Sequence, residues 1–223
     1  NRALFFDGAD DYVEVLDPSH LGLKAFTVEL WVNLSEAPQE RCALLCKGNW
    51  TERDVNYAVG ISHDMRPWVG FYDADGVWRE AIGTAQLDVG KWHHLAFTFS
   101  MPHVALYVDG VPCVQADDWD FEPRTSNSSL FVGKAPGMGS VKAVLDEIRV
   151  YDRALTGEEV QESYRGKVLE DDLVLWLRFD EGYGHVAWDI VSDEGLGVIS
   201  GATWVMSGLT RPPPTLSYAL STL

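Results

Sequence analysis

The stretch Gly90–Cys113 reads GKWHHLAFTFSMPHVALYVDGVPC, and its pattern predicts two neighbouring β-strands. In its first half, Leu95, Phe97 and Phe99 alternate with small or polar residues, which is the period-two pattern of a strand with one buried face. The second half contains Val-Asp-Gly at 108–110, and Asp-Gly favours the positive φ angles of a tight hairpin turn. We therefore expect an antiparallel pair of strands that packs on an apolar core.

Similar short apolar runs lie on both sides of this hairpin, with Gly, Asp, Asn or Pro between them. Regularly spaced short strands with turn residues at the joints are typical of an all-β sandwich. Besides the hairpin, the predicted strands are Ala3–Phe6, Tyr12–Val15, Phe26–Leu34, Ala43–Lys47, Tyr57–Ile61, Trp68–Tyr72, Val77–Ile82, Ser129–Val132 and Ala143–Tyr151. A second β-rich block runs from Leu173 to Val205.

The strand Phe26–Leu34, FTVELWVNL, shows how such a sheet is covered. Its even-numbered residues are apolar and share one face, which we expect to face the core. The other face presents Trp31 beside polar groups such as Glu29. Half-buried strands of this kind suit two packed sheets.

One helix is predicted near Thr156–Arg165. Thr156 is a suitable N-cap and Glu159 follows three residues later, so the two can form a capping box. Gly166 then ends the helix, because glycine readily takes the left-handed conformation at a helix C-terminus.

The chain is strongly acidic, with 34 Asp and Glu residues against 17 Lys and Arg and a formal net charge of −17. This charge repels a phosphate backbone and an anionic lipid surface, which argues against nucleic-acid and membrane-surface binding. No run of about 18 apolar residues is present, so we expect no membrane insertion. Acidic loops do suit calcium, which takes several carboxylate and carbonyl oxygens.

Three cysteines bear on the compartment: Cys42, Cys46 and Cys113. Cys42 and Cys46 lie in one strand-like run, about 13 Å apart along an extended chain, which is too far for a disulfide. Cys113 could pair with one of them, and a free or intermolecular thiol would remain. Three buried thiols in a reducing compartment are the alternative.

Three of the five asparagines, Asn33, Asn49 and Asn127, begin N-x-Ser/Thr triplets. Such triplets accept N-linked glycans when they are exposed in a secreted protein. They favour an extracellular or cell-surface location, whereas the cysteines leave a cytoplasmic location open.

Three stretches together resemble laminin G-like domains of the concanavalin A-like lectin/glucanase superfamily. They are ALFFDGADDYVEV at Ala3–Val15 followed by FTVELWVNL, the Gly90–Cys113 hairpin, and SLFVGKAPG…VLDEIRVYDRALTGEEV at Ser129–Val160. Their order and spacing carry the resemblance, since each motif alone is weak. The resemblance implies an all-β fold, a two-sheet antiparallel jelly-roll β-sandwich with one short helix.

The block after the helix has two interpretations under this resemblance. Residues 173–208 could complete the sandwich or open a second tandem copy. We expect completion, because an isolated block of strands could not bury its own apolar face. The predicted domain is then 1–208, followed by a Pro-rich linker or tail at 209–223.

A structural calcium site is implied by the same resemblance. Such jelly rolls often hold calcium between the first loop and the strand that matches DEIRV. On this chain the ligands would be Asp7 and Asp146, with Asp10 or Asp11 and backbone carbonyls completing the shell. The alternative is that the loop is a plain turn and Asp146 a hydrogen-bonded carboxylate.

A sugar platform is predicted at WVGFY. Trp68 and Tyr72 share a strand face with Gly70 between them, so a ring could stack there, with Arg66 donating hydrogen bonds. Trp50 and Trp78 would wall the groove. Ordinary core packing of most of these aromatic residues is the alternative.

Hydrolysis is the weakest of the candidate chemistries. Some enzymes of this fold carry an E-x-D-x-E strand, in which one carboxylate attacks and another protonates. The nearest string here is DDWDFEPR, with Asp118, Asp120 and Glu122, and it reads as a loop before a proline. We therefore assign no catalytic residue.

These observations together predict a non-catalytic recognition module. It would bind a glycan or a glycosylated extracellular partner, as in cell adhesion, beside neighbouring domains of a larger chain. The alternative is a protein–protein interaction or scaffolding domain of a large protein, including an intracellular one. A glycoside hydrolase is a minor alternative.

Overall fold

The computed structural model describes residues 1–16 and 19–210, and nearly all of its regular structure is β-strand. Within these residues it has sixteen strands and one α-helix. The strands are β1 Arg2–Asp7, β2 Tyr12–Val15, β3 Phe26–Leu34, β4 Cys42–Asn49, β5 Asp54–Ile61, β6 Pro67–Tyr72, β7 Trp78–Ile82, β8 Trp92–Ser100, β9 His103–Val108, β10 Val111–Ala116, β11 Leu130–Val132, β12 Lys142–Tyr151, β13 Leu173–Leu177, β14 Val186–Asp189, β15 Glu194–Ser200 and β16 Thr203–Met206. The helix α1 spans Gly157–Tyr164.

The strands form two layers, and hydrogen bonds between neighbouring strands run continuously from one layer to the other. One layer runs β10-β9-β8-β3-β12, with β1 and β16 continuing beside the first half of β12, and the other runs β15-β2-β11-β4-β5-β6-β7. The short strands β13 and β14 connect the layers. Every pairing between these strands is antiparallel, so the predicted jelly-roll sandwich with one short helix is confirmed.

The core lies between the two layers and is rich in aromatic rings. Phe26 on β3 contacts Tyr57 on β5 with ring centroids 4.9 Å apart. Phe99 on β8 contacts Phe71 on β6 at 4.8 Å. These contacts join opposite layers, and they show that the apolar face predicted for β3 does face the core.

The outer face of β3 is covered rather than open. The Tyr164 ring of α1 stacks on Trp31 with centroids 5.6 Å apart, and Ser163 Oγ donates to Glu29 Oε2 at 2.7 Å. Trp31 and Glu29 are therefore buried, and the expectation that this face presents Trp31 was wrong because the helix packs on it. The capping box of Thr156 and Glu159 that starts the helix is confirmed.

Two of the strands after the helix, β15 and β16, pair with the beginning of the chain. β13 pairs with β12, β15 with β2, and β16 with β1. In the last pair Arg2 lies opposite Met206, and the Ser207 N–H is 3.3 Å from the Asn1 carbonyl oxygen. The division into a 1–208 domain and a 209–223 linker or tail stays a prediction, and its second part lies outside the described residues from position 211 on.

The hairpin between β9 and β10 has the turn that its sequence predicts. Asp109 and Gly110 take φ angles of 53° and 75°, the pair of positive values that a type I′ turn requires. The Asp109 carboxylate also accepts from the His94 N–H at 2.8 Å, so it ties the turn to β8. Across the described ranges, no helix combines the length and hydropathy needed to cross a membrane.

Candidate functional site

Small residues line the outer face of the β4–β7 sheet and leave room for large rings above it. In register across neighbouring strands, Cys46 lies opposite Ala58, Ala58 opposite Gly70, and Gly70 opposite Glu80. A side chain at Gly70 would collide with the Trp78 ring, and one at Gly60 with the Trp68 ring. The rings can therefore pack directly on the backbone.

Four of the predicted ligand residues come together on this face. Trp50, Trp68, Tyr72 and Trp78 form what we call the tryptophan cluster, in which Trp50 contacts Trp78 with centroids 4.3 Å apart. Tyr72 lies 5.2 Å from Trp78, and Trp68 lies 6.3 Å from it. Edge-to-face contacts of this kind stabilise a fold by more than the apolar area that they bury would account for.

Trp68 forms the base of the tryptophan cluster and has no exposed surface. The Arg41 guanidinium lies 3.9 Å from the centroid of the Trp68 ring, and the exposed fraction of Trp68 is 0%. Tyr72 is only 7% exposed. The ring faces that the sequence offers to a sugar at Trp68 and Tyr72 are thus already covered, and the partly exposed rings are Trp50 and Trp78.

An ion pair borders the exposed edge of the cluster. Arg41 Nη2 donates to Glu80 Oε2 at 2.5 Å, and Trp78 Nε1 donates to the same oxygen at 2.8 Å. Burial alone would raise the pKa of Glu80, but these two hydrogen bonds outweigh it and lower the pKa below its usual value. Glu80 therefore remains an acceptor at neutral pH.

Sequence reasoning missed both members of this ion pair. Strand alternation places Glu80 on the same face as Trp78, so the sequence could have identified Glu80 as a neighbour of this ring. Arg41 precedes β4, and no local pattern links it to Trp68.

Arg66, the fifth predicted ligand residue, lies in the turn that leads into β6. Its Nε donates to Asp64 Oδ2 at 2.6 Å, and Ser62 Oγ donates to the other oxygen of Asp64. The guanidinium is thus engaged within its own turn. Ligand binding by these five residues stays a prediction.

The acidic turn after β1 brings three predicted metal ligands together. Carboxylate oxygens of Asp7, Asp10 and Asp11 all lie within 4.8 Å of one another. Burial raises the pKa of Asp11, a hydrogen bond from the Asp7 N–H opposes this, and the neighbouring Asp7 and Asp10 charges add to the rise. Clustered carboxylate oxygens are hard donors of the kind that calcium prefers.

Asp146 lies away from this turn. Strand register places Asp7 opposite Lys142, whereas Leu145 lies opposite Leu4, so Asp146 is several residues further along β12. Its carboxylate accepts from Ser207 Oγ at 2.6 Å. Burial raises the pKa of Asp146 to about 7, and the Ser207 hydrogen bond opposes the rise.

A buried ionic network lies under α1. Arg149 Nη2 donates to Glu147 Oε2 at 2.7 Å, and its Nη1 lies 3.9 Å from Glu29 Oε2. Glu147 also accepts from Trp176 Nε1 at 2.8 Å. Burial raises the pKa of Glu29 to about 7, and the Arg149 charge opposes the rise. Glu29, Glu147 and Arg149 are all buried, so they hold the fold rather than meet a ligand.

The three sequons differ in accessibility. Asn127 is exposed in an irregular segment. Asn49 ends β4 and accepts from the Thr51 N–H at 3.0 Å, whereas Asn33 lies within β3 and pairs with both neighbouring strands. Asn127 is thus the best placed acceptor, and glycosylation at all three stays a prediction.

All three cysteines are free thiols. Cys42 and Cys46 are fully buried, and burial raises the pKa of each to about 12. Neither thiol is therefore a reactive thiolate at neutral pH.

The carboxylates considered for hydrolysis lie in an irregular, exposed segment. Asp118, Asp120 and Glu122 follow β10 without forming a strand, and Glu122 is ion-paired with Lys24. This arrangement differs from alternate carboxylates on one strand.

Comparison with known proteins identifies relatives of this chain. The laminin G model described as "Concanavalin A-like lectin/glucanases superfamily" matches residues 7–161. Calsyntenin-2 from Danio rerio is 27% identical over an alignment of 124 residues, and the match covers 48% of this chain and 13% of that relative. The chain thus spans only a small part of this relative's length.

Two solved structures share the fold. A candidate carbohydrate-binding protein from Bacteroides ovatus ATCC 8483 superposes with a TM-score of 0.76 at 19% identity, covering 95% of this chain and 61% of that one. Domain 4 of AbnA, an extracellular arabinanase of family GH43 from Geobacillus stearothermophilus, in complex with arabinotriose, gives a TM-score of 0.57 at 21% identity. This match covers 72% of this chain and 75% of that domain.

Proposed function

Because the chain belongs to the concanavalin A-like lectin/glucanases superfamily, we propose that it is a non-catalytic carbohydrate-binding module. The observation that carries this proposal is the exposed edge of the tryptophan cluster, where Trp50 and Trp78 meet beside the Arg41–Glu80 ion pair. Aromatic faces can stack on the C–H faces of sugar rings. A few polar groups beside an apolar surface then fix orientation, as in other ligand sites.

Each residue of this edge has a distinct role in the proposal. Trp78 and Trp50 supply apolar surface for stacking. Arg41 supplies donors and Glu80 an acceptor, so together they suit neighbouring hydroxyl groups on one sugar. Trp68 is the support on which Arg41 rests, rather than a contact residue.

The wider setting that we propose is a multidomain extracellular protein. Two observations support this setting. The match covers only 13% of Calsyntenin-2, and the sequon at Asn127 is exposed. The irregular, exposed placement of Asp118, Asp120 and Glu122 supports a non-catalytic role.

A protein-binding function is the second candidate, and an exposed apolar patch favours it. Val186 and Trp188 project from β14 on one face, Val198 on β15 lies opposite Val186, and Ile190 and Val191 follow. Trp188 is 46% exposed. Exposed apolar patches often mark interaction surfaces.

We expect Trp78→Ala to weaken glycan binding about a hundredfold, or roughly 2.7 kcal/mol, as for a central aromatic contact in an interface. The measurement is a glycan array followed by isothermal titration calorimetry of the strongest hit. Trp188→Ala is the matched control, since it removes an exposed tryptophan elsewhere and should leave glycan affinity unchanged. The proposal is contradicted if the wild-type chain binds no glycan on the array, or if Trp78→Ala leaves the glycan affinity unchanged. The second candidate is supported if the chain binds a protein ligand and Trp188→Ala abolishes that binding.

A structural calcium ion is proposed at the Asp7, Asp10 and Asp11 turn, with the three carboxylates supplying part of its oxygen shell. Calcium at 100 times its Kd would add about 2.7 kcal/mol to the free energy of unfolding. We therefore expect EDTA to lower the melting temperature and Asp10→Asn to abolish this response. Asp118→Asn, an exposed acid elsewhere, is the control and should respond like the wild type. Equal melting temperatures in EDTA and in excess calcium would contradict the site.

A further inference from the structure

A second aromatic pocket lies on the outer face of the sheet that carries the tryptophan cluster. It encloses about 230 Å³ and is lined by Tyr12, Phe131, Lys134, Ala135 and Pro136. The Tyr12 and Phe131 rings meet edge to face with centroids 6.1 Å apart. Both rings are partly exposed, so they are open to a ligand.

Strand register shows that this pocket and the tryptophan cluster share one face. Phe131 lies opposite Cys46, Cys46 opposite Ala58, and Ala58 opposite Gly70. Phe131 is therefore three strands from Gly70, or about 14 Å, and the Trp78 ring lies above Gly70. A single sugar ring cannot reach both sites, whereas a chain of several sugars can.

The pocket and the tryptophan cluster adjoin at Ala135. Ala135 lines the pocket and also packs into the tryptophan cluster, so the two sites share a wall. The exposed Gly137 follows at φ 82°, beside Trp50 and Thr51. Since Gly137 has no side chain, it leaves room for an extended ligand beside Trp50.

The charge of the whole chain favours an uncharged ligand, and the pocket itself offers one donor side chain, Lys134. Lys134 Nζ lies 3.5 Å from the Ala9 carbonyl oxygen, at the limit of a hydrogen bond, so it can donate to a sugar hydroxyl. The same Ala9 lies within the acidic turn of Asp7, Asp10 and Asp11. With a net charge of −17 on the whole chain, an acidic sugar would be repelled.

We propose that the Tyr12–Phe131 pocket is a second subsite for the glycan that binds at Trp78, and that the ligand class is a linear neutral oligosaccharide long enough to occupy both. This inference rests on the proposed function. It adds a requirement for chain length, which a single subsite would not impose.

The test uses arabino-, xylo-, cello- and manno-oligosaccharides, each as a two-unit and a six-unit chain. Isothermal titration calorimetry measures each Kd, and tryptophan fluorescence detects binding near any of the chain's nine tryptophans, none of which lines the pocket. For the series that binds, we expect the six-unit chain to have a Kd at least tenfold lower than the two-unit chain. Phe131→Ala should raise the six-unit Kd about tenfold and leave the two-unit Kd unchanged.

Two further variants complete the design. Tyr12→Ala removes the other ring and is expected to act like Phe131→Ala if the latter fails to fold, as judged by thermal melting. Val111→Ala, an exposed apolar residue on β10, is the control and should change neither Kd.

Equal Kd values for the two chain lengths, or an unchanged six-unit Kd in both pocket variants, would overturn the second subsite while leaving the proposed function intact. If no chain of either length changes the fluorescence or gives a calorimetric signal, the proposed function fails, and the subsite with it.

Discussion

Replacing Trp68 with alanine is expected to lower the free energy of unfolding by about 3–5 kcal/mol, as for other large-to-small substitutions of fully buried aromatic residues. The ring is completely buried between the backbone at Gly60 and the Arg41 guanidinium. Its removal would leave a cavity and would also release Arg41 from its position beside Glu80. Urea denaturation followed by far-UV circular dichroism measures the change.

The matched control is Trp188→Ala, which removes a ring that is 46% exposed and should cost clearly less. Because Trp68 supports Arg41, glycan affinity of Trp68→Ala should fall together with stability. An unchanged unfolding midpoint for Trp68→Ala would show that the ring does not pack as described.

Arg149→Ala is expected to cost about 3–5 kcal/mol at neutral pH, because removing one partner of a buried ion pair leaves uncompensated charge. Glu29 and Glu147 would then face each other under α1 without the guanidinium between them. Thermal and urea unfolding of the variant measure this loss. Arg66→Ala is the control, since its partly exposed ion pair with Asp64 is screened by solvent and should contribute clearly less.

The cost of Arg149→Ala should also depend on pH. The folded pKa of Glu29, about 7, lies above that of an unfolded glutamate. Protonation of Glu29 therefore favours the folded state at low pH, and this contribution is lost as the pH rises through 7. Without Arg149 the charged form of Glu29 is less favourable still, so the substitution should cost more at pH 8 than at pH 5. Equal costs at both pH values would contradict the network.

Local patterns were sufficient to predict most of the elements. The bounds of β2 and β3 agree with the alternating runs Tyr12–Val15 and Phe26–Leu34, because side-chain alternation depends only on neighbours in the chain. The capping box of Thr156 and Glu159 is just as local.

Contacts between distant segments account for what the sequence did not predict. Alternation put Glu29 and Trp31 on the outer face of β3, but it could not show that α1 packs there. The spacing of the aromatic residues identified Trp68 as a candidate. It could not show that Arg41, which lies just before β4, covers the Trp68 ring. The distance of Asp146 from the acidic turn follows from the register of β1 on β12, which no single stretch of sequence encodes.

The antiparallel pairing of β1 with β16 also determines how the domain would respond to tension. Asn1 and Ser207 meet at the same end of this pair, with Arg2 opposite Met206 as its first rung. A force that pulled these two residues apart would break the hydrogen bonds one after another, as in unzipping, instead of shearing them all at once. β16 would peel away first, while β1 would stay bound to β12 through its other edge. The domain would therefore yield stepwise under load, once the hydrogen bond from Ser207 Oγ to Asp146 had broken.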